Sequence, residues 1–429
     1  MSDQKIHTKE MRSISNMYKD WFLDYASYVI LERAIPSVDD GLKPVQRRIL
    51  HSMRDMHDNR YHKVANIIGN TMKYHPHGDA AIGDALVGLG QKNLLIETQG
   101  NWGDTRTGDK AAAPRYIEAK LSDFALEVAF DKNTTIFQSS YDGRNKEPVS
   151  LPVKFPLVLA QGVEGIAVGL STKILPHNFI ELIKASISVV KEKSFKLFPD
   201  FDNGGLIDVK QYNDGRKGGR VRVRSKIEIL DKQTLKISSI PHSVTTSSLI
   251  DSIVKANNLG KIKIKNIEDN TAQEVDIIIH LVKGVSPNVT IDALYAFTNC
   301  EISLSPNCCI VVENKPQFIS VTELLKISTN NTINLLKAEL EYNLFTLENK
   351  WHYLNLEKIF IKNKIYRKIE DCKTWDEIID TITNEMNKFK NLFKRVITEE
   401  DILKLTEIKI KKISKYNFNK QNETIVNIE

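Results

Sequence analysis

His75-Pro76-His77-Gly78-Asp79-Ala80-Ala81-Ile82-Gly83-Asp84 reads as a turn running into the start of a helix. Pro and Gly break the chain, Asp79 is placed to cap the free N–H groups that follow, and Ile82, Leu86 and Leu89 recur at helical spacing. Just before it, a helix is expected over about 62–73, carrying Val64, Ile67 and Ile68. Two short helices joined by a tight turn match the helix-turn-helix pattern, and Ala80, Ala81 and Gly83 would let the second approach a groove closely. An ordinary pair of packed helices is the alternative.

Towards the N-terminus, residues 14–34 predict one amphipathic helix with Met17, Trp21, Tyr25 and Tyr28 in a stripe, ending before Pro36. Pro44 opens a second helix, buried through Val45, Ile49 and Met53 and carrying Lys43, Arg47, Arg48 and Arg54. Towards the C-terminus, Leu94-Leu95-Ile96-Glu97-Thr98 predicts a strand, and the Gly-rich loop from Gln99 to Gly108 reads as a wing.

That loop leads to Ala111-Ala112-Ala113-Pro114-Arg115-Tyr116-Ile117-Glu118. A phenol with a pKa of about 10 is a poor nucleophile at neutral pH, so a catalytic tyrosine wants a cation beside it. Arg115 supplies one, its planar fork suits a phosphate, and the alanines leave room for a bulky backbone to reach the hydroxyl. The other reading is a half-buried Tyr with a satisfied hydroxyl.

From about 150 to 320 short β-rich runs dominate, among them Leu157-Val158-Leu159, Ile166-Ala167-Val168, Ile277-Ile278-Ile279 and Cys309-Ile310-Val311-Val312, with a helix over 178–192. Gly162, Gly165 and Gly169 fit no phosphate-loop spacing and point to close backbone packing. In Arg220-Val221-Arg222-Val223-Arg224-Ser225-Lys226 a period of two places four cations on one face, a ribbon suited to phosphates, with Val221 and Val223 turned to a core. A solvated charged face is the alternative. After Val321, Ile333, Leu336, Leu340, Leu344, Leu347, Trp351 and Leu354 step by three and four, a coiled-coil seam. Helical patterning resumes over 375–410, and the last dozen residues are expected to fray.

With 429 residues and 41% hydrophobic content the chain can bury several cores. Its net charge of +6 suits a polyanion only where the basic residues gather. Cys300, Cys308, Cys309 and Cys372 lack zinc-site spacing, and neither a signal peptide nor a membrane span is readable, so a reduced, cytoplasmic protein is expected.

Six motifs in order resemble the DNA-cleaving half of bacterial type IIA topoisomerases, the gyrase A and topoisomerase IV A family. They are Arg33-Ala34-Ile35-Pro36, Asp40 to Arg48, Lys73 to Asp79, Gln99 to Gly103, Ala111 to Glu118, and Gly165-Ile166-Ala167-Val168-Gly169. The likeness extends more faintly into the later regions. It implies an α+β multidomain chain: 1–30 an N-terminal helical arm contacting a partner subunit, 31–155 a winged-helix domain with the catalytic tyrosine, 156–320 a tower, and 321–429 a coiled-coil arm and exit-gate region. It implies that Tyr116 attacks a DNA phosphodiester to form a 5′-phosphotyrosine, that Arg115 stabilises the charged phosphate, and that Arg33, Lys43, Arg48, His75 and His77 line the DNA site. Arg33 would reach phosphate across a dimer, and Ile174 would wedge between bases. Gln46 stands where many relatives have His. Ala80 stands where many carry a Ser that, with the acid matched by Asp84, helps bind quinolones, so weak drug poisoning is expected. No metal site is expected on this chain: Mg2+ and ATP would both be held by a B subunit in an A2B2 assembly with double-stranded DNA. The end at Glu429 implies a fragment or a reduced gene without the returning helix and the DNA-wrapping domain. A non-catalytic winged-helix or architectural protein of the same descent is the alternative.

Overall fold

The structure, a computed structural model, describes residues 14–409 and 423–428. The chain forms two compact units that divide between Leu335 and Leu336. The fold is mixed α/β, with several small sheets, and among the described residues no helix is long and apolar enough to cross a membrane.

The first unit begins with α1 (Ile14–Val29), continued by a π-helical turn over Ile30–Ala34, then α2 (Pro44–Asp55), β1 (His62–Lys63), α3 (Val64–Thr71), α4 (Asp79–Gly90), β2 (Ile96–Gln99), β3 (Glu118–Leu121) and α5 (Asp123–Val128). The three strands pair antiparallel in the order β1-β3-β2. Helices α2, α3 and α4 pack on one another around Leu42, Ile49, Leu50, Ile67, Ile82, Leu86, Leu89 and Ile117, all essentially buried. Burial of such side chains, each worth about 1.5–3 kcal/mol, is what holds this region together.

One polar knot lies at its edge. Asp40 is buried; its Oδ2 accepts from Arg47 Nε at 2.5 Å and from the backbone of Leu151 at 3.1 Å, and its Oδ1 accepts from Arg47 Nη2 and Leu42 N, each at 3.0 Å. Every lone-pair direction of this carboxylate is used, as a buried charge requires.

Next come β4 (Phe137–Ser139), β5 (Lys146–Pro148), α6 (Leu157–Gln161), β6 (Val163–Ile166), β7 (Ser171–Ile174), α7 (Phe179–Val190), β8 (Leu206–Gln211), β9 (Arg220–Arg224), β10 (Lys226–Asp231), β11 (Thr234–Ser239), α8 (Thr246–Asn258), β12 (Ile264–Asp269), β13 (Ile277–Leu281), α9 (Pro287–Phe297), β14 (Glu301–Leu304), β15 (Cys309–Val312) and β16 (Lys315–Phe318). Strands β14-β9-β8 form one sheet and β10-β11-β13-β12 another, each with its own core. Between the ends of α6 and β8, His177 is buried, its Nδ1 3.3 Å from the Leu159 carbonyl and its Nε2 3.2 Å from the Tyr212 hydroxyl. Burial pushes its pKa down to about 4. The folded ring therefore stays neutral while the unfolded ring takes a proton as pH falls below about 6.5, so stability should drop from there towards pH 4 and then level. Urea titrations at stepped pH should show a slope of up to about 1.4 kcal/mol per pH unit from this group, removed in His177→Gln.

A long helix, α10 (Val321–Lys362), runs on from the first unit, and the second also contains α11 (Trp375–Asn387) and α12 (Glu399–Thr406), with Leu356, Phe360, Ile382, Met386, Ile402 and Leu405 forming its core. On α10 the expected seam residues Ile333, Leu336, Leu340, Leu344 and Leu347 are exposed.

Several expectations are corrected. The single helix over 14–34 becomes α1 plus the π turn, and its aromatic stripe is exposed. Of the helix expected over about 62–73, His62 and Lys63 instead pair with β3. Gly78 occupies the cap position and Asp79 the first turn, where its charge still favours the helix N-terminus. Leu157-Val158-Leu159 is helical: a buried apolar run of that length fits either period. The strand at Ile166 ends there, before Ala167 and Val168. Ser225 breaks the cationic ribbon, so Lys226 opens a different sheet. Of the last dozen residues, 423–428 are helical with Ile425 buried; the others, like residues 1–13 of the expected arm, lie outside the described residues.

Candidate functional site

A groove of 660 Å³ is lined by Arg33, Lys43, Gln46, His75 and His77 together with α4 and the β6–β7 hairpin. Arg33 comes from the π turn, Lys43 from the residue before α2, and the histidines from the turn before α4. Gln46 has a local task too: its Oε1 accepts the Lys43 backbone N–H at 3.0 Å, tying off the start of α2. The hairpin closes on the π turn because Gly165 has no Cβ; one built there would collide with the Ala34 carbonyl and come within 3.4 Å of Lys43 Nζ. Lys43 Nζ donates to the Glu164 carbonyl at 2.6 Å, and burial lowers its pKa. Lys92, donating to the carbonyls of Gln161 and Gly162 at 2.8 and 2.9 Å, is pushed down by burial to about 8.

His75 is buried beside Arg48, whose Nη1 lies 3.3 Å from its Nδ1, and Arg48 is forked onto Glu147. Burial first, then Arg48, takes the His75 pKa down to about 4, so the ring is neutral at physiological pH. His77 Nε2 lies 2.6 Å from the Tyr28 hydroxyl of α1, and the two histidine rings meet edge to face with centroids 4.9 Å apart.

Tyr116 is presented on a clamped turn. Its N–H donates to the Ala113 carbonyl at 2.9 Å, while Ala65 and Val64 donate to the carbonyls of Pro114 and Ile117 at 3.1 and 3.0 Å. Ile117 points into the core and Tyr116 out, 62% exposed. The Arg115 guanidinium stacks over the phenol ring, 4.7 Å from its centroid. Within one chain neither residue lines the groove.

The remaining residues are dispersed. Ala80 and Asp84 sit one turn apart on the exposed side of α4. Ile174 is 3% exposed, packed in a core of this chain, and the exposed apolar side chain of that hairpin is Ile166. Arg220, Arg222 and Arg224 share the exposed face of β9 as expected, but the acids that relieve their repulsion come from flanking strands: Arg222 pairs with Asp208 at 2.6 Å, Arg224 with Glu301, and Arg220 donates to Ser303 Oγ at 2.6 Å. Lys92, Glu147 and Glu164, and the place of Tyr28 at the site, escaped the sequence reading because each reaches the site from a separate segment and stands in no motif.

A sequence model of the family described as the A subunit of DNA gyrase/topoisomerase IV matches residues 33–429. The chain belongs to that family. Its match to the gyrase/topoisomerase IV A family begins at Arg33 in the groove and takes in Tyr116, leaving α1 outside. Among curated relatives, the A subunit of DNA topoisomerase 4 from Borreliella burgdorferi is 46% identical over 412 residues, 96% of this chain and 66% of the relative. The A subunit of DNA gyrase is 37% identical over 377 residues in Lawsonia intracellularis, covering 81% of this chain and 46% of the relative. In Clostridium acetobutylicum it is 34% identical over 395 residues, covering 85% of this chain and 47% of the relative. The chain thus spans about half to two thirds of the length of the relatives it matches.

Proposed function

We propose that this chain is the DNA strand-breaking and rejoining subunit of an ATP-dependent type II topoisomerase, of the topoisomerase IV A or gyrase A kind. The observation that carries the reading is Tyr116, held outward on a clamped turn under the Arg115 guanidinium, in a chain that also builds a groove from Arg33, Lys43 and two histidines. The finer architecture follows: α2 to α4 with β1-β3-β2 form a winged helix, the later sheets a tower, and α10 a coiled-coil arm, over the 31–155, 156–320 and 321–429 divisions expected above. The exposed Trp21, Tyr25 and Tyr28 of α1 support the reading of 1–30 as an arm that packs on a partner subunit.

The Tyr116 oxygen attacks a backbone phosphorus as the bond to the 3′ oxygen breaks; the phenol gives up one proton and the departing 3′ oxygen takes one. The ester energy is kept in the 5′-phosphotyrosine, so rejoining is the same step reversed and needs no water. Arg115, stacked on the Tyr116 ring, supplies the charge that stabilises the phosphate the tyrosine attacks, and Arg33, Lys43 and His75 hold backbone oxygens in the groove. Because Tyr116 stands off the groove of its own chain, two copies are needed: the groove of one holds the strand that the tyrosine of the other cuts. Double-stranded DNA, a second copy and an ATPase subunit in an A2B2 assembly are the partners. Among the described residues no three His, Cys, Asp or Glu side chains gather to hold a metal. Mg2+, like ATP, would be held by the B subunit and would supply charge neutralisation at the leaving oxygen.

The test is detergent trapping of a protein–DNA adduct by the chain with its ATPase partner and magnesium. A chain that grips DNA yet never becomes attached to a 5′ end is a non-catalytic binder. The exposed pair on α4 adds a second expectation: Ala80→Ser provides a hydroxyl one turn from Asp84 and should raise quinolone-trapped cleavage by about tenfold, the scale of one well-placed hydrogen bond, in a drug titration.

A further inference from the structure

Glu147 lies 99 residues beyond Arg48 in the chain, on β5, and is 3% exposed. Its carboxylate takes a forked pair from the guanidinium, Arg48 Nε to Oε2 at 2.7 Å and Nη2 to Oε1 at 3.0 Å. Such a fork fixes the plane of the guanidinium as well as its position. The nitrogen left over, Nη1, is the one that lies 3.3 Å from His75 Nδ1. An arginine only donates and keeps its charge, so Nδ1 must accept and the ring proton must sit on Nε2.

We propose that Glu147 is a positioning residue for strand breakage: through the Arg48 fork it holds His75 as the neutral Nε2–H tautomer, which offers the groove a fixed hydrogen-bond donor for a backbone phosphate oxygen. This rests on the reading that the groove receives DNA. The carboxylate does not act on His75 by its own charge, which pulls the histidine's pKa upward, against the burial and the Arg48, His77 and Arg33 charges that lower it. Its contribution is geometric. Arg48 has a second acid in reach, the exposed Glu32 at 3.8 Å, and without Glu147 it is drawn outward and Nδ1 loses its donor.

The test uses the full chain with 15N-labelled histidine and long-range proton–nitrogen correlation, the His75 signals being identified by their loss in His75→Gln. The wild type should show the Nε2–H pattern from about pH 7.5 to about pH 5.5, where an ordinary histidine would become charged. Glu147→Gln should give mixed tautomers, and so should Arg48→Lys, which keeps the charge but has no fork. With the ATPase partner and magnesium, Glu147→Gln should slow adduct formation about tenfold while DNA affinity changes by less than about twofold. The His177 signals report whether each variant is folded, and should Glu147→Gln unfold, Arg48→Lys reads the same question. An unchanged His75 pattern in a folded variant, beside normal wild-type cleavage, overturns the positioning role alone. Absence of any adduct from the wild type overturns the reading of function on which the role rests.

Discussion

Replacing Tyr116 by Phe should abolish the covalent link to DNA, a fall of at least about 10⁴-fold in trapped adduct, because the phenyl ring has no atom able to form the ester. Little else should change. The side chain is 62% exposed, and the turn beneath it is held by backbone hydrogen bonds from Ala65, Val64 and its own N–H, none of which involves the hydroxyl. Stability should stay within about 0.5 kcal/mol and DNA retention within about threefold of the wild type, measured by thermal melting and filter binding. An adduct persisting in Tyr116→Phe would move the attack to another hydroxyl. A wild type that binds DNA without linking to it leaves the architectural reading.

Asp40→Ala should act on the fold, with a loss of about 3–5 kcal/mol in the urea unfolding free energy, because it strands a buried guanidinium. Arg47 is only 12% exposed and its pKa is held up by Asp40 against burial. The same substitution leaves the backbone N–H groups of Leu42 and Leu151 without their acceptor. Removing both charges in Asp40→Ala with Arg47→Met should recover part of the loss, since a buried pair often stabilises little over an apolar pair of similar size. Full recovery is not expected, as the two backbone groups stay unpaired. A single variant within about 1 kcal/mol of the wild type would show that water reaches the site.

The helices of the first region were legible because their apolar residues recur at 3.6 and their ends carry Pro44 and Gly78. Ile49, Ile67, Ile82, Leu86 and Leu89 are all buried as that period demands. Period two likewise set the faces of β9, with Val221 and Val223 fully inside. What failed was of two kinds. Leu157 to Leu159 are buried on all sides, and a run without a polar face carries no period. The acids facing the arginine ribbon depend on strand partners far away in sequence, which no local pattern records: Asp208 and Glu301 reach Arg222 from β8 and β14. The site shows the same limit. Its motifs marked Lys43, His75, His77 and Tyr116, whereas Glu147 and Tyr28 could be found only once the chain was folded.

The π turn over Ile30–Ala34 has a bearing on how such a sequence can drift. An α-helix advances about 100° per residue, so losing or gaining one residue there would rotate the whole of α1, with its aromatic face, about its axis relative to Arg33 and the groove. Point changes on the outer side of α1 leave that phase intact. Across descendants of this gene the spacing between Trp21 and Arg33 should therefore outlast the identities of the residues between them.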